Sequence, residues 1–452
     1  MNLEELISIT NGTYYGKKKN IFIHHFCIDT RLLKKDDCFI ALKGKNQDGH
    51  SFLETAYEKG CILSIVSKLP KKRKKKERYL VVEDTLKALW DLASFQRNKG
   101  SIPVIGITGS VGKSTLKEIL AQLLEPDYRV LKSEGNQNNH IGLPMTLLKM
   151  DSNYDIVIAE LGMNHKGEIQ ILSNLLRPSI GVITKIGTSH IGNLGSKKEI
   201  CKAKLEILSG MDGGFLFLNG YDKAFKHFKG NIPCFKTNEK RNYQIKEINI
   251  NLKGTSFILI VNQKEYEVFF PYPGYQYPEL IALAILIASK LQIPIDVCIK
   301  RLKNIKLLNQ RFQFFFLNQN ILLIDDSYNA SYESFLSAYS YLKKEKQNKL
   351  LILGDMLELG SYSKKYHKKV IRKANYLMHT EVWYTGPVFY SLGRKFHHGT
   401  YFETIEDMKK CLEENNWEDC IIYVKGSHLF HLEQVSKAII KKYKEDKSYN
   451  LK

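Results

Sequence analysis

The run Gly109-Ser110-Val111-Gly112-Lys113-Ser114-Thr115 has the residue types that hold a nucleotide's phosphates. A short apolar, β-branched stretch from Pro103 to Thr108 precedes it. Leu116, Ile119, Leu120, Leu123 and Leu124 follow at helical spacing. Strand, glycine loop and helix in that order aim backbone N–H groups at phosphate oxygens, and the helix N-terminus adds partial positive charge. Lys113 can then reach the β- and γ-phosphates, and the Ser114 hydroxyl can ligate Mg²⁺, so ATP is the expected ligand. The general phosphate-loop pattern needs glycine at 107, where this chain has Ile; its glycines stand at 106, 109 and 112.

Three more side chains are placed for chemistry. Asp155 to Glu160 is an apolar strand ending in a carboxylate, and ligands of open α/β sheets gather at the carboxyl ends of strands. Glu160 is therefore a candidate Mg²⁺ ligand, or a locally paired acid. A further apolar strand, Ile180–Thr184, leads to His190 on the same sheet edge, as a ligand or a structural histidine. Ser196 and Glu199 have capping-box spacing, opening a helix on which Ile200, Ala203, Ile207 and Leu208 share a face with Lys204. A lysine on a buried stripe either snorkels to solvent or is neutralised. A neutral amine can add carbon dioxide and become a carbamate.

The elements that must position these groups fall into three regions, an α/β fold of three domains. Residues 1–83 hold short strands and one helix, Phe52–Lys59. Residues 84–310 alternate strands and helices, the pattern of a parallel sheet. Residues 311–452 alternate again, with strands at Ile321–Asp325, Leu350–Leu353, Val382–Thr385 and Ile421–Val424, a second doubly wound, Rossmann-like domain.

Bulk properties narrow the function classes. The chain has 452 residues, 43% hydrophobic and 25% charged, ordinary for a soluble protein. Its amino terminus shows no signal-peptide pattern, and the longest apolar run, Leu280–Ala288, is too short to span a membrane. A cytoplasmic location is expected. The eight cysteines form no C-x-x-C pair, which leaves reduced structural thiols. The net charge of +21 raises nucleic acid as a partner, but no stripe of basic and aromatic residues surrounds the phosphate loop. The basic tract Pro70–Lys76 reads as a solvated loop between two strands, Ile62–Val66 and Tyr79–Val82.

Taken together, these segments resemble the Mur ligases of peptidoglycan synthesis. The resemblance runs through all three regions. Besides the phosphate loop it is carried by Gly135-Asn136-Gln137-Asn138-Asn139-His140-Ile141-Gly142, Ala159-Glu160-Leu161-Gly162-Met163-Asn164-His165, Asp325-Asp326-Ser327-Tyr328-Asn329-Ala330 and Leu353-Gly354-Asp355-Met356-Leu357-Glu358-Leu359-Gly360. It implies an ADP-forming amide ligase that joins UDP-MurNAc-tripeptide to D-alanyl-D-alanine through an acyl phosphate, in cell wall biogenesis. It implies a monomer with a UDP-binding first domain, an ATP-binding second and a third that closes over it. It also implies that Lys113 and Ser114 bind ATP and Mg²⁺, that Glu160 and His190 hold Mg²⁺, and that Lys204 is carbamylated and bridges to a second Mg²⁺. Arg311 and Asp326 match nucleotide-contacting positions of the third domain. Asn138, Asn139 and Asn329 match substrate-contacting positions, and Thr30, Arg31 and Asn46 match the part that binds the UDP end.

Three positions depart from that pattern. Gln276 offers an amide where adenine contacts are expected, but Glu279 stands where a second asparagine is usual and cannot donate a hydrogen bond when ionised. His428 replaces an arginine after Lys425-Gly426-Ser427. Other readings are a sister amide ligase of the same superfamily, forming the tripeptide or a folate polyglutamate, a nucleic-acid-dependent P-loop NTPase, and a non-catalytic homologue.

Overall fold

A computed structural model describes residues 1–17, 20–72, 74, 76–226, 228, 234–236, 243–396 and 399–444. Arg73 and Lys75 of the basic tract lie outside the described residues. Three α/β units follow one another along the chain.

The first holds a five-stranded sheet in the order Thr13–Tyr15, Tyr79–Val81, Leu63–Val66, Cys38–Ile40, Phe26–Cys27, parallel except at its first pair. The helix expected at Phe52–Lys59 is a 3₁₀ turn, Gly49–Phe52, continuing into the helix Leu53–Glu58.

The second holds a six-stranded parallel sheet. Its order is Cys234–Lys236, Phe215–Leu218, Ile180–Ile183, Val104–Thr108, Ile156–Glu160, Val130–Lys132. The strand before the phosphate loop thus lies between the strand ending in Glu160 and the strand leading to His190. The chain winds outward to one side of Val104–Thr108 and then returns to the other. That reversal opens a crevice at the carboxyl ends of these three strands.

Sequence alternation over 84–310 pointed to a sheet of parallel strands, which is present, but it missed a second sheet. Tyr243–Asn251, Gly254–Val261 and Lys264–Phe270 form a separate antiparallel sheet. Asn262 and Gln263 both take positive φ, 48° and 70°, the geometry of a tight two-residue hairpin. Helix Tyr277–Lys290 is covered by this sheet on one side and by helix Lys113–Leu124 on another. The whole apolar run Leu280–Ala288 is buried there. Each large side chain so buried contributes roughly 1.5–3 kcal/mol. Among the described residues no helix is long and apolar enough to cross a membrane.

The third holds a six-stranded sheet containing the four expected strands, observed as Ile321–Asp325, Asn348–Gly354, Thr380–Thr385 and Cys420–Lys425. Two edge strands were not foreseen: Gln313–Leu317, antiparallel, and Thr400–Phe402, parallel. All eight cysteines are free.

Candidate functional site

Val104–Thr108 is buried along its whole length and delivers the chain to the glycine loop. Gly109 has φ +149°, and a Cβ there would collide with the Thr184 hydroxyl. Gly112 caps the helix Lys113–Leu124 with φ +88° and offers no side-chain acceptor. The first N–H groups of that helix therefore remain available to an anion. The Ser110 hydroxyl is buried without a hydrogen-bond partner among the described residues. Lys113 Nζ folds back onto Gly109 O at 2.8 Å. Burial lowers the pKa of Lys113, and neighbouring Arg311 lowers it further, against the opposing pull of Glu160 and Glu358. A phosphate placed there would supply the missing counter-charge.

Glu160 ends the strand Ile156–Glu160 with 1% of its surface exposed. Lys117, one helical turn beyond Lys113 and equally buried, holds its Nζ 3.3 Å from Glu160 Oε1 and 2.5 Å from Ser133 O. His190 caps a short helix, Ile191–Leu194, in the left-handed region at φ 63°. Its Nδ1 lies 2.8 Å from Glu358 Oε2 of the third domain, and this contact lowers the pKa of Glu358. Glu358 is also left-handed, at φ 63°. Non-glycine residues at positive φ are uncommon and concentrate at functional sites.

Lys204 sits on helix Lys197–Leu205 with 1% exposure, so it does not snorkel. Burial, and then Lys113, push its pKa well below the ordinary lysine value. The Ser196 side chain accepts from Glu199 N–H, but the reciprocal half of the capping box is replaced by a Glu199–Lys202 ion pair.

The third domain reaches the phosphate loop through Arg311. Its Nη2 donates to Ser114 Oγ at 3.1 Å, and its guanidinium lies 4.0 Å from the Tyr328 ring centroid. His428 stacks on the same tyrosine at 5.9 Å. Asp326 is held by Lys425 Nζ at 2.5 Å and by the Tyr423 hydroxyl at 3.1 Å. Burial lowers the pKa of Lys425, and Asp326 opposes that shift. Ser337 of the third domain donates to Gln276 Oε1 at 2.8 Å. Glu279 accepts from Asn219 Nδ2 at 2.6 Å, with Lys185 3.7 Å away. The departure at 279 therefore has a local donor.

Most of these groups line a cavity of about 970 Å³ between the second and third domains. From the phosphate loop, Ser110 through Thr115 line it, with Glu160, His190 and Gln276. Arg311, Asp326 and Asn329 line it from the third domain. Asn138 and Asn139 enter from the asparagine loop, where the Asn139 side-chain oxygen caps the N–H groups of Ile141 and Gly142.

Gly109 and Lys204 are not part of the cavity wall, although Lys204 is close enough to feel the charge of Lys113. Thr30, Arg31 and Asn46 are not brought to the wall either. They stay in the first domain, where Arg31 pairs with Asp29 at 2.6 Å and Thr30 O accepts from Lys59 Nζ at 2.7 Å.

Sequence reasoning assigned no role to Lys117, Glu333, Glu358 or Lys425. Lys117 was within reach of the apolar-face logic that singled out Lys204. The others act across tertiary contacts that local pattern does not encode.

Among the described residues no cluster of three or more His, Cys, Asp or Glu side chains forms a ready-made metal cage. The Glu160 carboxylate and the Ser114 hydroxyl, oxygen donors on the wall beside the phosphate loop, suit Mg²⁺, which keeps several waters and takes phosphate oxygens rather than an all-protein shell; the His190 imidazole would be the weaker ligand. The residues present therefore fit that ion.

The family model described as the Mur ligase middle domain matches residues 107–288, and that described as the Mur ligase glutamate ligase domain matches residues 310–428. A UDP-N-acetylmuramoyl-tripeptide–D-alanyl-D-alanine ligase of Bacillus subtilis is 32% identical over 451 residues, covering 97% of each chain. A ligase of the same name from Escherichia coli is 30% identical over 97% of this chain and 98% of its own. The crystal structure of a MurF from Acinetobacter baumannii superposes with a TM-score of 0.88 at 27% identity, covering 97% of this chain and 98% of that one. With matches across the second and third domains and relatives aligned along nearly its whole length, this chain belongs to the Mur ligase family.

Proposed function

We propose that the chain is an ATP-dependent, ADP-forming ligase that adds D-alanyl-D-alanine to UDP-MurNAc-tripeptide, giving the pentapeptide precursor of peptidoglycan. The relatives so named support the substrates. The observation that carries the reading is the single cavity shared by phosphate loop, asparagine loop and third domain. A nucleotide, a donor carboxylate and an acceptor amine must meet in such a place.

In this reading residues 1–83 bind the UDP end through Thr30, Arg31 and Asn46. Residues 84–310 bind ATP, and residues 311–452 close over it. Lys113 and the loop N–H groups orient the γ-phosphoryl group toward the donor carboxylate, and ATP converts that carboxylate to an acyl phosphate. The neutral amine of D-alanyl-D-alanine then attacks the acyl carbon: the C–N bond forms, the nitrogen gives up a proton, the C–O bond to phosphate breaks, and inorganic phosphate leaves. Arg311 and Asp326 hold the nucleotide from the lid side, and Gln276 faces the base. Asn138, Asn139 and Asn329 position the two peptides. Ser114, Glu160, His190 and a carbamylated Lys204 would hold two Mg²⁺ ions, whose chemistry is to neutralise charge on the transferring phosphoryl group. Closure excludes water from an intermediate that hydrolyses readily. The protein works as a monomer in the cytoplasm, with no nucleic acid and no membrane insertion.

The test incubates purified protein with ATP, Mg²⁺, D-alanyl-D-alanine and UDP-MurNAc-tripeptide carrying either diaminopimelate or lysine. Phosphate release matched by pentapeptide is expected with one donor. Phosphate without pentapeptide refutes the assignment.

A further inference from the structure

The loop from Gly187 to His190 belongs to the second domain, but its conformation is held by a side chain of the third. Glu333 lies in the first turn of helix Tyr332–Leu342, 11% exposed. Thr188 donates to Glu333 Oε2 twice, through its backbone N–H at 3.0 Å and its hydroxyl at 2.9 Å. Lys197 Nζ donates to the other oxygen, Oε1, at 2.9 Å. Both carboxylate oxygens are thus engaged by donors of the opposite domain. Gly187 leaves the room for this: a Cβ there would stand 2.8 Å from Glu333 Oε2.

Two further hydrogen bonds close the same seam. Gly192 N–H donates to Glu358 O at 3.1 Å, and the Tyr362 hydroxyl donates to Gly195 O at 2.7 Å. A Cβ on Gly192 would stand 2.5 Å from Gly360 N. Among these contacts, the Glu333 carboxylate supplies three charge-assisted bonds at once, the strong class of hydrogen bond.

We propose that Glu333 is the clasp of the closed form, a positioning residue that fixes the lifetime of domain closure and the placement of the loop carrying His190. The proposal rests on the ligase reading, because closure matters only if a water-sensitive intermediate must be protected. With the domains apart, Glu333, Lys197 and the Thr188 N–H are solvated separately. With the domains docked, their mutual bonds replace that water. Glu333 lines the cavity wall beside the phosphate loop, but both its oxygens are taken by Thr188 and Lys197. Loss of the clasp therefore shortens closure and leaves the bond of Lys113 to Gly109 in place.

The experiment compares wild type, Glu333→Ala, Glu333→Gln and Lys197→Met in full-length protein. Ligation, phosphate release and ADP-dependent compaction by small-angle X-ray scattering are measured. In Glu333→Ala, kcat for ligation is expected to fall about tenfold while KM for ATP stays within about twofold. Phosphate released per amide formed should rise well above the wild-type ratio, because opening exposes the acyl phosphate to water. Glu333→Gln keeps an acceptor for Thr188 and should recover part of the coupling. Lys197→Met removes one arm at a half-exposed position and should show the same changes, smaller. It also serves if Glu333→Ala misfolds.

Wild-type kcat with unchanged coupling and compaction in Glu333→Ala overturns the proposal. So does a parallel fall in ligation and phosphate release with the ratio preserved. If wild type itself does not ligate, the ligase reading fails, and the scattering comparison alone decides the clasp.

Discussion

Lys117 Nζ lies 3.3 Å from Glu160 Oε1, with both side chains almost sealed from solvent. Glu118 Oε1 is 3.5 Å from the same ammonium, and Lys132 pairs with the other oxygen of Glu118 at 2.6 Å. The carboxylate proposed to face Mg²⁺ is therefore backed by a small buried charge network, anchored through Ser133 O. Removing one partner of such a pair leaves an uncompensated buried charge, which costs about 3–5 kcal/mol. Lys117→Met should destabilise the protein by that order in urea unfolding. Lys117→Met combined with Glu160→Gln should recover part of the loss. A loss under about 1 kcal/mol for the single variant would show that water, not Lys117, neutralises Glu160.

Arg311 bonds Ser114 and stacks on Tyr328 with one planar group. Lysine keeps the charge but cannot do both. Arg311→Lys is expected to lower kcat/KM for ATP by about 10–100-fold, a loss of ~1.4–2.7 kcal/mol in transition-state stabilisation. Tyr328→Leu should reproduce the part due to stacking. Steady-state kinetics at saturating acceptor separates the two, and an unaltered kcat/KM in Arg311→Lys would reduce the arginine to a point charge.

The parts of the site that could be read in the sequence are those whose geometry is local. The phosphate loop follows from a β-branched strand, glycines and a helical face within a dozen residues. Glu160 follows from the rule that strands of a parallel sheet deliver their last residue to the crevice. Lys204 was visible as a cation on an apolar stripe, and the structure buries it. What escaped depends on distant chain segments meeting. Glu333 and Glu358 are ordinary surface-type residues until the third domain docks on Thr188 and His190. The antiparallel sheet at 243–270 was masked because its middle strand, Gly254–Val261, is apolar enough to pass for a parallel one. Thr30, Arg31 and Asn46 rest on resemblance alone, and none of the three lines the cavity at the phosphate loop.

Asp29 and Arg31 offer a test of the first domain by pH. Side-chain hydrogen bonds from Arg31, then its backbone N–H, hold the Asp29 carboxyl down at about 2. A folded value below the unfolded one, about 3.9, means the stabilisation is complete above that pH and is lost as pH falls through the folded value. Arg31→Met should return the Asp29 titration toward about 3.9, read by carboxyl ¹³C NMR on aspartate-labelled protein. At neutral pH the same variant should raise KM for the UDP-linked donor more than it changes kcat. An unshifted titration would mean that the Arg31 side chain does not govern Asp29.

Lys204 carries the sharpest chemical expectation. Its amine is buried beside Lys113, and two ammonium groups there would repel. Because its folded value lies well below the unfolded one, about 10.4, the unfolded state binds the extra proton, and stability rises with pH up to that value. A neutral amine can attack carbon dioxide: the N–C bond forms, one proton leaves, and a carbamate anion remains. That anion would turn the repulsion from Lys113 into attraction. Lys204→Ala should lose ligation, and short carboxylic acids should restore part of it by supplying the missing anion. Wild type equilibrated with ¹³C-bicarbonate should show a carbamate resonance that Lys204→Ala lacks. Full activity in the unrescued variant would remove the carbamate from the mechanism.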